Sequence, residues 1–278
     1  MESSHPKNDQ PPLLPFTLNR LRTQVLLSWE QEKRLLSWYG LHDGMSVLEV
    51  GSGPGFFTKQ LLTVLPTSSI TCIDTDPVFL AHAKQILPAD VLSRVRFVEE
   101  SILTTSLPEQ TFDVAIARFV FQHLASPVTA AQAIWRLLKP NGKLIIIEAD
   151  DALFGIVHPP VPELPLILEA YEKVQAQRGG NRRIGRHLWR ILDQASFLPQ
   201  ALDTIAFHSD ELGIEVFREY LNFEERLVPL VEAGLLSEEV LALARASTER
   251  FFASPQRFVL MLWMAAYGQK PAATQSTL

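Results

Sequence analysis

Cysteine is almost absent from this chain: Cys72 is the only one, and it sits inside an apolar run. Neither a disulfide framework nor a thiolate metal cluster can be built within the chain, so a reducing compartment, the cytoplasm, is the expected location and no metal is expected at the site. Long hydrophobic stretches are lacking as well, and none approaches the roughly 20 apolar residues that a membrane helix needs. A basic excess is missing too. The net charge of −6 argues against a polyanionic partner such as nucleic acid. Residues 1–15 are polar and proline-rich, without the charged start and apolar stretch of a secretory signal. A disordered tail is expected there, and a short flexible one at 269–278.

What is present is enough apolar material, 47% of 278 residues, to bury a full core. Residues 17–39 carry Leu18, Leu21, Val25, Leu26, Trp29, Leu35, Leu36 and Tyr39 at helical spacing, which predicts one or two amphipathic helices over 16–40. Short apolar runs then alternate with helix-like or turn-rich stretches: Ser46–Val50, Ile70–Ile73, Val95–Val98, Val114–Ala117 and Leu144–Ile147. Such alternation predicts a buried parallel sheet with helices on both faces over 41–150. Asp76-Pro77 reads as a helix cap followed by proline at the first helical position, and Pro140-Asn-Gly142 ends the helix of 128–138.

From Asp151 the alternation stops. Helical patterns at 164–177, 185–195 and 211–252 surround a strand candidate at 201–208, and an apolar run at 258–266 suits a last strand. The expected architecture is α/β: a doubly wound, mostly parallel, seven-stranded Rossmann-like sheet with N-terminal helices and helical inserts after strands five and six. The inserts, 151–184 and 209–254, are expected to form a substrate lid, while 185–208 and 255–268 complete the core.

The chemistry concentrates in Glu49-Val-Gly-Ser-Gly-Pro-Gly55, which ends the first strand and opens a helix near Phe56. Gly51, Gly53 and Gly55 permit a tight turn and let a ligand approach the backbone. A dinucleotide needs a third glycine at the sixth motif position, where Phe56 stands. Glu49, two residues before the first glycine, suits a ligand with an ammonium group and no pyrophosphate. Asp74, nineteen residues beyond Gly55 at the end of the second strand, can accept both hydroxyls of a ribose.

With these residues the sequence resembles the class I S-adenosylmethionine-dependent methyltransferases, in particular the small-molecule group with Val-Leu-Glu-Val-Gly-Ser-Gly-Pro-Gly-like loops. The resemblance runs from Leu41 to Asp150 and more weakly through Gly179–Leu192 and Pro255–Gly268. It implies S-adenosylmethionine as cofactor, with Gly51, Ser52, Gly53 and Gly55 against its methionine and ribose portions. Glu49 would order the loop or meet the amino group through water, Asp74 would hold the ribose, and Thr75 would lie along the adenine. Ser101 stands where the family usually has an acid, so the adenine amino contact falls to Ser101 or Glu100, with the Ile102 N–H serving the ring. Phe119-Val-Phe-Gln-His-Leu124 matches the stretch lining the methyl-donor end, which makes His123 the catalytic candidate, a base if the acceptor is a phenol or alcohol. Arg118 either pairs with a structural carboxylate or contacts the cofactor carboxylate.

The implied reaction is methyl transfer to an O, N or C nucleophile of a small molecule, with a homodimer admitted as the assembly. A cyclase or decarboxylase on the same fold, a protein methyltransferase and a non-catalytic binding module stand as alternatives. Nucleic-acid methylation is disfavoured: Ala117-Arg-Phe-Val120 replaces the Pro-Pro element of amino-directed enzymes, and Cys72 lies within a strand. The cluster Arg182, Arg183, Arg186, His187 and Arg190 reads as a solvated helix face or as a seat for an anionic substrate group.

Overall fold

The computed structural model describes residues 14–221 and 224–272. The outer parts of both expected tails, 1–13 and 273–278, lie outside the described residues. A single helix, α1 (Leu14–Trp38), stands where one or two were expected. The predicted alternation follows: β1 (Ser46–Val50), α2 (Phe56–Val64), β2 (Ser69–Asp74), α3 (Pro77–Ile86), β3 (Val95–Glu99), β4 (Phe112–Arg118), α4 (Pro127–Leu137) and β5 (Leu138–Glu148). Asp76 caps α3 through its carboxylate, which accepts from Val78 N at 2.8 Å and Phe79 N at 3.2 Å.

Beyond β5 come β6 (Gly155–His158), α5 (Leu164–Gln177), α6 (Leu188–Gln194) and β7 (Leu198–His208). Four helices, α7 (Ser209–Leu212), α8 (Ile214–Tyr220), α9 (Glu224–Glu232) and α10 (Glu238–Ala253), then lead to β8 (Phe258–Gln269). The sheet order is β3-β2-β1-β4-β5-β8-β6, with β7 on the other edge of β8. The first five strands pair in parallel, whereas β8 is antiparallel to β5, β6 and β7.

The sheet has eight strands, which corrects the expected seven. The additional one, β6, continues beyond β5 along the same edge of β8, pairing Gly155–His158 with 258–261. Its residues are mostly solvent-exposed, Ile156 among them, so no apolar run announces it, and its hydrogen bonds come from a distant strand. The last strand also runs three residues past the expected 266, because Tyr267–Gln269 still pair with β5 and β7.

Alternate residues of the central strands feed two separate cores, as a sheet covered on both faces requires. Val47, Cys72, Val114, Ile116, Ile145 and Ile147 pack with α1, α2 and the helices of the later inserts. Leu48, Val50, Ile73, Ala115, Ala117, Leu144 and Ile146 pack with α4 and α6. Among the described residues no helix is long and apolar enough to cross a membrane.

The turn from β1 into α2 depends on glycine for two reasons. Gly55 sits at φ +85°, and a Cβ there would lie 2.6 Å from the Cβ and 2.9 Å from the Cα of Ala83 on α3. Left-handed backbone strain and overpacking add, so Gly55→Ala is expected to lower unfolding free energy by roughly 2–4 kcal/mol. Chemical denaturation of the two proteins measures it, and a loss below that of an ordinary surface substitution would contradict this packing.

Candidate active site

The strand order reverses at β1, between β2 and β4, and a cavity of about 550 Å³ opens there at the carboxyl ends of β1 to β4. Its size falls within the roughly 300–1,000 Å³ usual for small-molecule sites. The expected Glu49, Gly51, Ser52, Gly53, Asp74, Thr75, Ser101, Ile102, Arg118 and His123 all line it. Gly55 does not line it. Gly55 instead closes the turn against α3. Five residues of α1 that periodicity alone marked only as helical, Thr17, Arg20, Leu21, Gln24 and Val25, form another wall.

The floor is made by backbone. Gly51 N and Ser52 N both donate to the Ile73 carbonyl, at 2.8 and 3.3 Å, which folds the loop over the end of β2. Asp74 then holds the loop from the side, its Oδ2 accepting from Gly53 N at 2.7 Å and its Oδ1 from Asp76 N at 2.9 Å. Each carboxylate oxygen keeps a further lone pair for a ligand. Gly53, at φ +54°, has nothing within 4 Å of where a Cβ would stand, so its backbone is open to the cavity.

On the far side of Asp74, Glu100 is already engaged. Its carboxylate accepts from Thr105 Oγ1 at 2.6 Å, Ser106 N at 2.8 Å and Ser106 Oγ at 2.8 Å, and these bonds hold its pKa below the usual carboxylate value. Of the two acceptors considered for this position, Ser101 is the less engaged; its Oγ accepts a long bond of 3.3 Å from Leu103 N.

Arg118, at the end of β4, is tied to α1. Its Nε lies 2.9 Å from Glu32 Oε2 and 3.1 Å from Oε1, while Nη2 reaches Glu32 Oε1 at 2.9 Å and the Gln24 carbonyl at 3.0 Å. Phe57, Phe119 and Trp263 surround the guanidinium, with ring centroids at 5.5, 4.7 and 5.1 Å. Arg118 therefore has a structural carboxylate, Glu32, which the sequence could not identify across 86 positions. The next residue, Phe119, adopts φ +56°, and strain of this kind in a bulky residue is held only where surrounding contacts over-determine it. Its N–H is held by the Ile147 carbonyl at 2.8 Å and its ring by Trp263 at 4.7 Å.

Two carboxyls under the site, Glu49 and Glu148, are buried. Burial pushes Glu49 up to about 8 despite a hydrogen bond from Thr58 and the thiol of Cys72, whose Sγ is 3.7 Å away. Burial likewise pushes Glu148, at the end of β5, up to about 8, although the turn at 120–122 donates backbone N–H groups to it. Glu148 was not foreseen; the only mark it left was an acid closing an apolar strand.

His123 ends the short 3₁₀ turn Phe121–His123. Its Nδ1 lies 3.1 Å from Gln175 Nε2, and the same amide nitrogen donates to the Gln122 carbonyl at 3.1 Å. Gly180 makes this possible, since a Cβ there would collide with the Gln122 carbonyl oxygen and with Gln175 Nε2. Desolvation, followed by the guanidinium groups of Arg182, Arg20 and Arg178, lowers the His123 pKa from its ordinary 6.5. The basic cluster beyond Gly180 resolves into ion pairs: Arg182 with Asp151, Arg183 with Glu172 at 2.7 Å, and Arg186 with Asp150 at 2.7 Å.

Residues 48–146 match a family model described as a methyltransferase domain. A malonyl-[acyl-carrier protein] O-methyltransferase from a Paenibacillus species is 28% identical over 154 residues, 54% of each chain. The demethylmenaquinone methyltransferase of Deinococcus radiodurans is 33% identical over 119 residues, 42% of this chain and 49% of that one. The chain thus spans about half the length of these curated relatives. Among solved structures, the phosphoethanolamine N-methyltransferase 2 of Haemonchus contortus in complex with S-adenosyl-L-methionine superposes with a TM-score of 0.55 at 19% identity, covering 87% of this chain and 53% of that one.

Two stability experiments follow from the buried charges. Removing Glu32 leaves a buried guanidinium uncompensated, so Glu32→Ala should cost about 3–5 kcal/mol, much of it recovered in the double variant Glu32→Ala/Arg118→Met; denaturant melts of the three proteins decide this. Glu49 and Glu148 have raised folded-state pKa values of about 8, so the folded chain holds protons that the unfolded chain releases near 4.5. Their stabilisation is complete below the unfolded value and disappears as pH rises through about 8. Melts between pH 6 and pH 8.5 should show a decline that Glu49→Gln and Glu148→Gln flatten, and an unchanged slope in both would refute the assignment.

Proposed function

We propose that this chain, which matches a methyltransferase domain over residues 48–146, is a class I S-adenosylmethionine-dependent methyltransferase that moves a methyl group from S-adenosylmethionine to a small-molecule acceptor. The observation that carries the reading is Asp74, a carboxylate held by Gly53 N and Asp76 N beside an open glycine backbone. When bound, S-adenosylmethionine supplies a methyl group made electrophilic by its positive sulfur.

The donor set fits such a molecule. Asp74 accepts the two ribose hydroxyls through its remaining lone pairs, and Thr75, Ser101 and the Ile102 N–H flank the nucleobase. The backbone of Gly51 to Gly53 meets the amino-acid portion, with Glu49 beneath it as an uncharged carboxyl that orders the loop rather than a counter-ion. Arg118 acts at second hand: its Nε and Nη2 are spent on Glu32 and Gln24, so its contribution is to keep α1 across the site. That helix, with Phe56 and Phe57, excludes water and aligns the acceptor with the methyl group. The acceptor occupies the end lined by Arg20, His123 and Leu124. The two curated relatives differ in acceptor, and the reading stops at a small molecule.

Calorimetry tests this directly. Saturable binding of S-adenosylmethionine is expected, none of NAD, and a weakening of at least about tenfold in Asp74→Ala from the loss of hydrogen bonds to a charged acceptor. Absence of binding at millimolar S-adenosylmethionine sinks the methyltransferase reading, and an Asp74→Ala protein binding as tightly as the parent sinks the ribose role.

A further inference from the structure

We propose that the acceptor reaches this site as an oxyanion, a carboxylate in chemical class, and that His123 receives it as a hydrogen-bond donor through Nε2–H rather than acting as a base. The inference deepens the methyltransferase reading and rests on it. It starts from Gln175. The Gln122 carbonyl oxygen accepts from Asn181 N at 2.8 Å and from the Gln175 side-chain amide at 3.1 Å. An amide turned the other way would set its own oxygen against that carbonyl, so the group facing it is the NH₂. The same NH₂ nitrogen is 3.1 Å from His123 Nδ1. A nitrogen with hydrogens to give and no lone pair to offer can meet only an unprotonated Nδ1, which places the single ring proton of neutral imidazole on Nε2.

The charges around the ring agree. Arg20 on α1 lines the same cavity as His123, and its charge, with those of Arg182 and Arg178 after α5, opposes a second ring proton. Asp151 offsets Arg182, and the nearby carboxyl of Glu148, which accepts the Gln122 N–H at 3.3 Å, is held uncharged by burial at neutral pH. A neutral donor ring beside guanidinium groups is suited to an anionic oxygen and poorly suited to pulling a proton from a neutral one. Transfer to such an oxygen needs no base. The oxygen lone pair forms the bond to the methyl carbon, the bond from that carbon to the donor sulfur breaks with its electron pair going to sulfur, and the negative and positive charges cancel without a proton leaving. Gln175 is then a positioning residue: it sets the tautomer and touches no reacting atom.

The test uses the full chain labelled with ¹⁵N and saturated with S-adenosylhomocysteine. Long-range proton–nitrogen correlation should show the Nε2–H tautomer for His123, and Gln175→Glu, which offers an acceptor, should move the proton to Nδ1 and raise the ring pKa. Acetate titrated into the complex should shift the His123 ring resonances saturably, acetamide should not, and Arg20→Gln should weaken acetate by roughly fivefold. An Nδ1–H tautomer in the parent protein, acetamide acting as strongly as acetate, or acetate binding unchanged in Arg20→Gln overturns the proposal. Failure of the methyltransferase reading would look different, since the protein would then bind neither S-adenosylmethionine nor S-adenosylhomocysteine.

Discussion

The contact on which the site depends is the buried pairing of Arg118 with Glu32, because it makes the N-terminal helix part of the cavity. The glutamate side chain is fully buried and the arginine nearly so. Two charges taken out of water repay that cost only when geometry and extra hydrogen bonds are good. Here Nε and Nη2 span the carboxylate, Nη2 also takes the Gln24 carbonyl, and three aromatic rings close around the guanidinium. The same arginine ends β4 immediately before the strained Phe119. One ion pair thus couples the position of α1, with Arg20 and Gln24 facing the cavity, to the loop that carries His123.

A second economy runs through the carboxyl groups, which share a chemistry and differ by environment. Asp74 sits beside backbone donors and open solvent space, where its two oxygens hold the glycine loop through Gly53 N and the α3 cap through Asp76 N. Glu100 stays charged, and three bonds from Thr105 and Ser106 already engage its carboxylate. Burial raises the pKa of Glu49 and Glu148 to about 8, under the glycine loop and the His123 turn respectively. The acidic excess of the chain is therefore not spread evenly over the cavity. The end of the cavity by Asp74 and Glu100 is acidic, and the wall by His123 carries Arg20.

Much of this was legible beforehand where the signal was local. Short apolar runs located the first five strands, helical spacing located α1, Asp76-Pro77 announced its cap, and the glycine spacing with Asp74 marked the cavity floor. Signals that depend on a distant partner were not legible. Short, exposed β6 shows no apolar run and exists by pairing with β8, and Glu32, Gln175 and Gly180 look like ordinary surface or loop residues until their partners are in place. The basic run from Arg182 to Arg190 looked like one feature, whereas folding gives Arg182, Arg183 and Arg186 separate acids at 151, 172 and 150.

By itself the sequence determined the α/β class, the glycine turn and the carboxylate at the end of the second strand, because each follows from backbone geometry and burial within a few neighbouring residues. Tertiary structure alone decided that Arg118 is committed to α1, that Glu100 is engaged by Thr105 and Ser106, and that Nδ1 of His123 faces the Gln175 amide. These are questions of which donor meets which acceptor across 5 to 86 positions of chain, and no local pattern encodes the answer. Charge state and tautomer depend on the groups that folding brings within hydrogen-bond distance, so the chemistry of the cavity was settled only when the chain closed around it.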